Sequence, residues 1–313
     1  PHRLRSIQRE LSNATKQREK FLQTGRSGDA KSLRKAVESA VTTACKDIYK
    51  HASKNPELSG MGTTCTMVMF IGHNKGILGH VGDSRLFVAR QGHLHQLSED
   101  HTYVNELLRR GAINKEQAKN HPQGNVLSRA LGVQPSVAVD TMIFDIDPGD
   151  TYLLCSDGLH NYYPDNRELS QGLANPDLDA GLNQLIDQAL DRGGHDNCTA
   201  VAVRIGGQPP APESAIAAEQ RIAILKRIPI FAHLTYNELV KTLGLTQMAR
   251  VTEGETIITE GEKGDELYVI LAGEVDIFKG DQKLTTLKGW GSFGRDGDGR
   301  HAPRSATSKP CPR

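Results

Sequence analysis

Residues 151–158 read Thr-Tyr-Leu-Leu-Cys-Ser-Asp-Gly, an apolar run that ends abruptly on a carboxylate and a glycine. The run has the composition of a buried strand. A buried strand that delivers an acid to its end must supply a cation or a hydrogen-bond network to receive it, because an uncompensated charge in an apolar setting is costly. Gly158 lets the backbone turn sharply and brings the loop close to whatever Asp157 faces. By itself the pair also fits a plain strand-ending turn, for which Asp-Gly is common. Asp83 and Asp196 stand in the same kind of place.

Short apolar segments with tight connections surround this stretch and predict an antiparallel sheet. Strands are expected at Cys65–Ile71, Gly76–Asp83, Arg85–Arg90, Leu94–Leu97, Val137–Phe144, Thr151–Leu154 and Cys198–Ile205, with turns at Lys75-Gly76 and Gln91-Gly92. Helical spacing runs over Leu33, Val37, Ala40, Ala44 and Ile48, ends at Asn55-Pro56, and returns at 103–120 and at Leu178–Leu190. Residues 1–27 hold seven Lys or Arg against two Glu and few apolar positions, which predicts a solvated helix or a disordered arm. Residues 206–213, Gly-Gly-Gln-Pro-Pro-Ala-Pro-Glu, read as a linker. The expected organisation is an arm at 1–28, an α+β domain at 29–205, the linker, a second domain at 214–307 and a tail at 308–313.

Three aspartates share one context, a predicted strand edge with glycine one or two positions away: Asp83 in Val81-Gly82-Asp83-Ser84-Arg85, Asp157, and Asp196 in Gly193-Gly194-His195-Asp196-Asn197. All-oxygen ligation of this kind suits Mg²⁺ or Mn²⁺ rather than zinc. Two such ions about 3.5–4 Å apart can support in-line attack at phosphorus. Taken singly, Asp83 also fits a turn residue paired with Arg85, and Asp196 a helix-to-strand turn. Taken together, the three favour the metal reading.

Residues 58–205 resemble the PPM (type 2C) family of metal-dependent Ser/Thr protein phosphatases in its bacterial form. The matching pieces are Gly60-Met61-Gly62-Thr63-Thr64, Val81 to Arg85, Asp100-His101-Thr102, His121-Pro122, Leu127 to Gly132, Leu154 to Leu159 and Gly193 to Asn197. The resemblance implies an αββα sandwich, incomplete at its N-terminus, with a dinuclear Mn²⁺ or Mg²⁺ centre. Asp157 and Asp196 match ligands of that centre, and Asp83 matches a ligand of a third metal. It also implies that 101–124 is a flap beside the site, which makes His101 and His121 flap or surface histidines rather than general acids. The family's D-G-x-G-G loop, with the bridging aspartate, is expected upstream of Pro1, and residues 1–27 do not resemble the helix that follows it. The chain is therefore expected to be an inactive piece of an enzyme that hydrolyses phospho-Ser/Thr monoesters through a metal-bound hydroxide. The rival reading is a non-catalytic pseudophosphatase that binds partners.

Glycines and turn acids recur between strands expected at Arg250–Ile258, Leu267–Leu271, Glu274–Lys279 and Lys283–Leu287, a jelly-roll rhythm. This part resembles a partial cyclic nucleotide-binding domain. Gly294, Arg304 and Ser305 match its phosphate cassette, and cAMP or cGMP is the implied effector. Arg295 stands where the family has a ribose-binding glutamate, and Asp296-Gly297-Asp298-Gly299 replaces an apolar helix, so weak or no nucleotide binding is expected. With 38 Lys or Arg against 37 acids, no nucleic-acid or membrane partner is expected. Five scattered cysteines (45, 65, 155, 198, 311) argue for reduced thiols in a cytoplasm.

Overall fold

The computed structural model describes residues 2–119, 121–207, 217–262, 264, 266–294 and 307–310. These form two units, one of 1–215 with 236–245, the other of 216–235 with 246–313. The linker (all but 206–207), the cassette residues Arg295, Arg304 and Ser305, and the last three tail positions lie outside the described residues.

The first unit opens with helices α1 (His2–Asn13), α2 (Thr15–Thr24) and α3 (Ser27–Lys54). In α3, Leu33, Val37, Ala40, Val41, Ala44, Cys45 and Ile48 recur at three- and four-residue steps and are all buried. That stripe gives α3 one continuous apolar face. Asn55, in an extended conformation, ends the helix just before Pro56. The arm is ordered here: α1 and α2 pack on α3. Ala14 and Phe21 are buried with Leu33, Val37, Ile71 and Ile77 in one cluster. Removing a Phe or Leu side chain from water contributes about 1.5–3 kcal/mol, enough to hold a short basic helix against the domain. Helix α2 stops at Gly25 (φ 60), whose N–H donates to Phe21 O.

Strands β1 (Cys65–Gly72), β2 (Lys75–Val81), β3 (Arg85–Arg90) and β4 (His93–Gln96) follow, then helices α4 (Tyr103–Arg109) and α5 (Lys115–Lys119). Next come β5 (Asp140–Asp145), β6 (Thr151–Cys155), α6 (Asp157–His160), α7 (Asn166–Leu173), α8 (Leu178–Asp191) and β7 (Ala200–Arg204). The strands form two antiparallel sheets of order β1-β2-β5 and β4-β3-β6-β7. Register pairs such as Met67 with Gly79, Leu78 with Met142, and Phe87 with Leu153 set which side chains share a face. Met67, Ile71 and Ile77 face the α3 layer. Phe87, Leu153 and Cys155 pack with Leu169, Leu173, Leu185 and Ala189 of α7 and α8. Between the sheets, the Tyr152 ring lies 5.7 Å from that of Phe70 and 5.5 Å from that of Phe144. The layers therefore run helix, sheet, sheet, helix.

Two local expectations are corrected. The β1–β2 turn is His73-Asn74 (φ 48 and 53), not Lys75-Gly76. Positive φ at both central residues is the mirror-image turn that suits a hairpin's twist. Gly76 is instead a strand residue, and a Cβ there would sit 2.4 Å from the Phe144 ring. Helix α7 was not anticipated; its eight residues carry only two buried apolar positions, Leu169 and Leu173, and its start is capped by the Asp165 carboxylate accepting from Arg167 N.

In the second unit, helix α9 (Ala218–Lys226) leads to helix α10 (Tyr236–Leu245), which belongs to the first unit, and the chain then resumes the second. Strands β8 (Tyr268–Val269), β9 (Glu274–Lys279), β10 (Gln282–Lys288), β11 (Ser292–Phe293) and β12 (Thr307–Pro310) make sheets of order β10-β9-β12 and β11-β8. Residues 250–258 are not a strand; they form irregular chain with one bridge, Ile258 to Ser308. The turning glycine there, Gly254, has φ 84. The described residues show two small sheets rather than a closed roll. Among the described residues no helix is long and apolar enough to cross a membrane.

Candidate metal centre

Asp83 sits in the three-residue link between β2 and β3. Gly82 before it has φ 113, and a Cβ there would lie 2.4 Å from the Thr64 side chain. The loop is clamped from several sides. Gly82 N–H donates to His101 Nδ1 (3.1 Å), and His101 N–H donates back to Gly82 O (2.8 Å). Arg85 grips Asp100 through Nε and a terminal nitrogen at 2.6–3.1 Å. The Ser84 hydroxyl lies 2.9 Å from that of Thr64. Burial first, and then the nearby Asp157 carboxylate, push the Asp83 carboxyl up to about 6.

Asp157 is the first residue of α6, directly after β6, and accepts from Gly158 N at 2.9 Å. Its loop is tied to the Asp196 loop. Ser156 Oγ donates to Asn197 O and accepts from Thr199 N, each at 3.0 Å. A Cβ on Gly158 would meet Asn197 O at 2.5 Å and Asp196 O at 3.3 Å, so the two loops touch backbone to backbone. Asp196 accepts from Asn197 N at 2.6 Å. A cavity of about 400 Å³ opens beside Asp196, walled by Ile186, Leu190 and Cys198.

None of Asp83, Asp157 and Asp196 makes an ion pair with a described residue, whereas Asp100, Asp140, Asp145 and Asp150 all do. A set of hard oxygen donors without a protein cation is chemically suited to Mg²⁺ or Mn²⁺. Among the described residues, however, no three His, Cys, Asp or Glu side chains converge into a ready-made cluster. The structure thus brings Asp157 and Asp196 onto adjoining loops and Asp83 within electrostatic reach of Asp157.

His160 escaped the sequence reading. It closes α6, is 4% exposed, and its Nε2–H donates to the Asp83 carbonyl at 3.0 Å. Burial, then Arg85, push its pKa down to about 4. Its place three residues after Asp157 was the available signal, since helical spacing turns both toward one end of the sheet. His101 is not a surface histidine: it is 4% exposed, and its Nδ1 is occupied by Gly82 N–H. Its Nε2 lies 3.3 Å from Asp140 Oδ2 and 3.2 Å from an Arg129 terminal nitrogen. His121 accepts from Gln123 N through Nδ1 at 3.2 Å. In the second unit, Gly294 (φ 113) follows β11.

The helix-flanked double sheet, with strand-end acids gathered on adjoining loops, is a phosphatase-type α+β fold. A family model for protein phosphatase 2C matches residues 6–191, and the chain belongs to that family. The match begins within α1 and takes in α2 and α3. The chain is 40% identical over 158 residues to the serine/threonine phosphatase stp of Listeria monocytogenes, covering 50% of this chain and 62% of that protein. It thus spans less than two thirds of that relative's length. Among solved structures, the serine/threonine phosphatase PstP/Ppp of Mycobacterium tuberculosis superposes with a TM-score of 0.52 at 36% identity, over 55% of this chain and 72% of that one. A catalytic domain of PstP in complex with two manganese ions gives 0.50 at 34% identity, over 55% and 71%.

Proposed function

We propose that this chain carries part of the metal site of a Mn²⁺- or Mg²⁺-dependent Ser/Thr phosphoprotein phosphatase, with Asp157, Asp196 and Asp83 as metal-holding carboxylates. The observation that carries the reading is that Asp157 and Asp196 stand on adjoining loops with Asp83 in electrostatic reach of Asp157, none of them with a described ion-pair partner. The manganese in the related PstP domain supports the choice of ion. A bound cation supplies Lewis acidity and an activated water for attack on the phosphate monoester. The chain's own residues hold and orient: Ser156 ties the Asp157 loop to the Asp196 loop, and the Arg85–Asp100 pair and His160 fix the backbone around Asp83. Mg²⁺ and Mn²⁺ complete their shells with water, and with no bridging carboxylate in the proposed set, poor or absent turnover is the outcome proposed for residues 1–313.

For residues 214–307 the reading is a regulatory segment of cyclic nucleotide-binding type, with Gly294, Arg304 and Ser305 at the phosphate. It rests on the residue pattern alone, and Arg295 argues for weak cAMP or cGMP binding. The free thiols Cys45, Cys65, Cys155 and Cys198 support a reducing, cytoplasmic setting.

Calorimetric titration of the chain with Mn²⁺ tests the site. Asp157→Asn keeps the shape and removes a charge, and should weaken binding about tenfold or more. Unchanged Mn²⁺ binding in Asp157→Asn, Asp196→Asn and Asp83→Asn alike would favour the pseudophosphatase.

A further inference from the structure

Helix α10 is an anomaly of chain order. It belongs to the first unit, yet the segments on both sides of it, 216–235 and 246–313, belong to the second. It is firmly seated. Leu239, Val240 and Leu243 are buried, and Gly244 rides so close to β5 that a Cβ would lie 2.4 Å from Ile143 O. At its N-terminal end, the Tyr236 ring stacks on His95 of β4 at 3.6 Å between centroids and 3° between planes. The Tyr236 hydroxyl accepts from Arg90 at 3.4 Å, and Lys241 lies 3.8 Å from Glu99.

Besides packing on β5, α10 covers the short edge strand β4, which among the described residues has a strand neighbour, β3, on one side only. An edge strand of four residues has few ladder hydrogen bonds and depends on what covers it. From β4 a chain of direct contacts leads to the metal loop. Gln96 Nε2 donates to Asp100 Oδ1 at 2.9 Å and to Ser98 O at 3.1 Å. Asp100 accepts from Arg85, two residues beyond Asp83. Ser98 Oγ accepts from Leu86 N at 3.0 Å, and the next residue after Asp100, His101, exchanges two hydrogen bonds with Gly82. Each link is a contact between neighbouring groups, and on that side residues 82–86 are held by hydrogen bonds from 97–101.

We propose that α10 is a strap that fixes β4 and the 98–101 anchor, and through them the Asp83 loop, so that pulling on the C-terminal segments joined to α10 loosens the metal loop. The test is hydrogen exchange read by mass spectrometry on the whole, metal-free chain. It stands or falls apart from the phosphatase reading, because no turnover or metal is involved. Tyr236→Ala removes the stack, and Gly244→Leu forces the helix off β5. The variant that frees the α10 amides should speed exchange at 82–86 and 93–101 about tenfold, as expected for opening of one cooperative segment, while leaving 33–48 of α3 unchanged. Tyr236→Phe keeps the stack and should behave as the parent. Free exchange of α10 with unchanged protection at 82–101 would overturn the proposal. So would protection of α10 that persists in both variants, since the strap would then not depend on the contacts named.

Discussion

Gly158 lies directly against the backbone of Asn197: a Cβ added to Gly158 would sit 2.5 Å from the Asn197 carbonyl oxygen. That approach is what lets the Asp157 and Asp196 loops share one end of the sheet. Gly158→Ala should therefore wedge the loops apart. The overpacking is expected to cost about 1–3 kcal/mol of stability, seen as a lower denaturant midpoint, and to weaken Mn²⁺ binding as well. A variant with parental stability and parental Mn²⁺ affinity would show that the close approach does not matter.

Acid stability offers a second test. His80 is fully buried; its Nε2 faces Glu99 O at 3.0 Å and so carries the proton, and its Nδ1 lies 2.9 Å from the Thr66 hydroxyl. Burial, and then His101, hold its pKa down to about 4. The unfolded chain therefore binds this proton below about pH 6.5 while the folded chain does not until about pH 4. Its stabilising effect is complete above pH 6.5 and is lost as the pH falls from there through 4. The loss across that window is about 3 kcal/mol at most. Urea unfolding at pH 7, 6 and 5 should show it, and His80→Asn should flatten the slope even if it lowers stability throughout. The paired carboxyl of Asp140 lies below the usual range, so its contribution falls away only at lower pH; burial opposes its ionisation, but His101 and Arg129 outweigh that.

Much of this architecture is visible in the chain itself because its signals are local. The α3 stripe, the short strands and the Gln91-Gly92 turn each follow from spacing and turn chemistry within a few residues. The strand-end acids are visible for the same reason. What stayed hidden depends on distant partners. Gly76 reads as a turn glycine until Phe144 is seen to fill its face. Phe21 looks like a stray aromatic in a basic arm until Ile71 and Leu33 close over it. His160 has no partner nearby in sequence, since the carbonyl it holds, Asp83 O, is 77 residues away. Residues 250–258 have strand-like composition, but strand formation is decided by neighbours, and one bridge to Ser308 does not make a ladder.

The buried pair of Arg90 and Asp150 gives a third prediction. Both side chains are 4% exposed or less, with Arg90 bonded to Asp150 at 2.6 and 2.8 Å. Tyr152 OH and Asp147 N also donate to Asp150, at 2.9 and 2.8 Å. Asp150→Ala would leave the buried Arg90 only the longer contact to Asp147 (3.7 Å) and its bonds to Asp145 O and Tyr236 OH, and would take the acceptor from two donors, at a cost of about 3 kcal/mol. Asp150→Asn keeps an acceptor oxygen and should be milder. Thermal melts of the two variants check the order, and equal losses would mean that the lost charge, not the acceptor oxygen, carries the effect.

His160 separates a positioning role from mere packing. Its ring fills a buried site, and its Nε2–H holds the Asp83 carbonyl at 3.0 Å. His160→Ala removes both and leaves a cavity. Stability should fall by about 2–3 kcal/mol from the lost packing and the unsatisfied carbonyl together. The Asp83 loop should also lose its tie to α6, and Mn²⁺ affinity should drop severalfold. In His160→Gln, the amide nitrogen reaches roughly where Nε2 stands and can donate to the same oxygen. If His160 acts by placing Asp83, Gln should recover most of the Mn²⁺ affinity even where the melting temperature stays low, because the hydrogen bond returns but the ring does not. If it acts by packing alone, His160→Phe should restore stability better than Gln, and neither substitution should separate affinity from stability. Mn²⁺ titrations and melts of the three variants distinguish these patterns, and equal Mn²⁺ affinity in Ala and Gln would end the positioning argument.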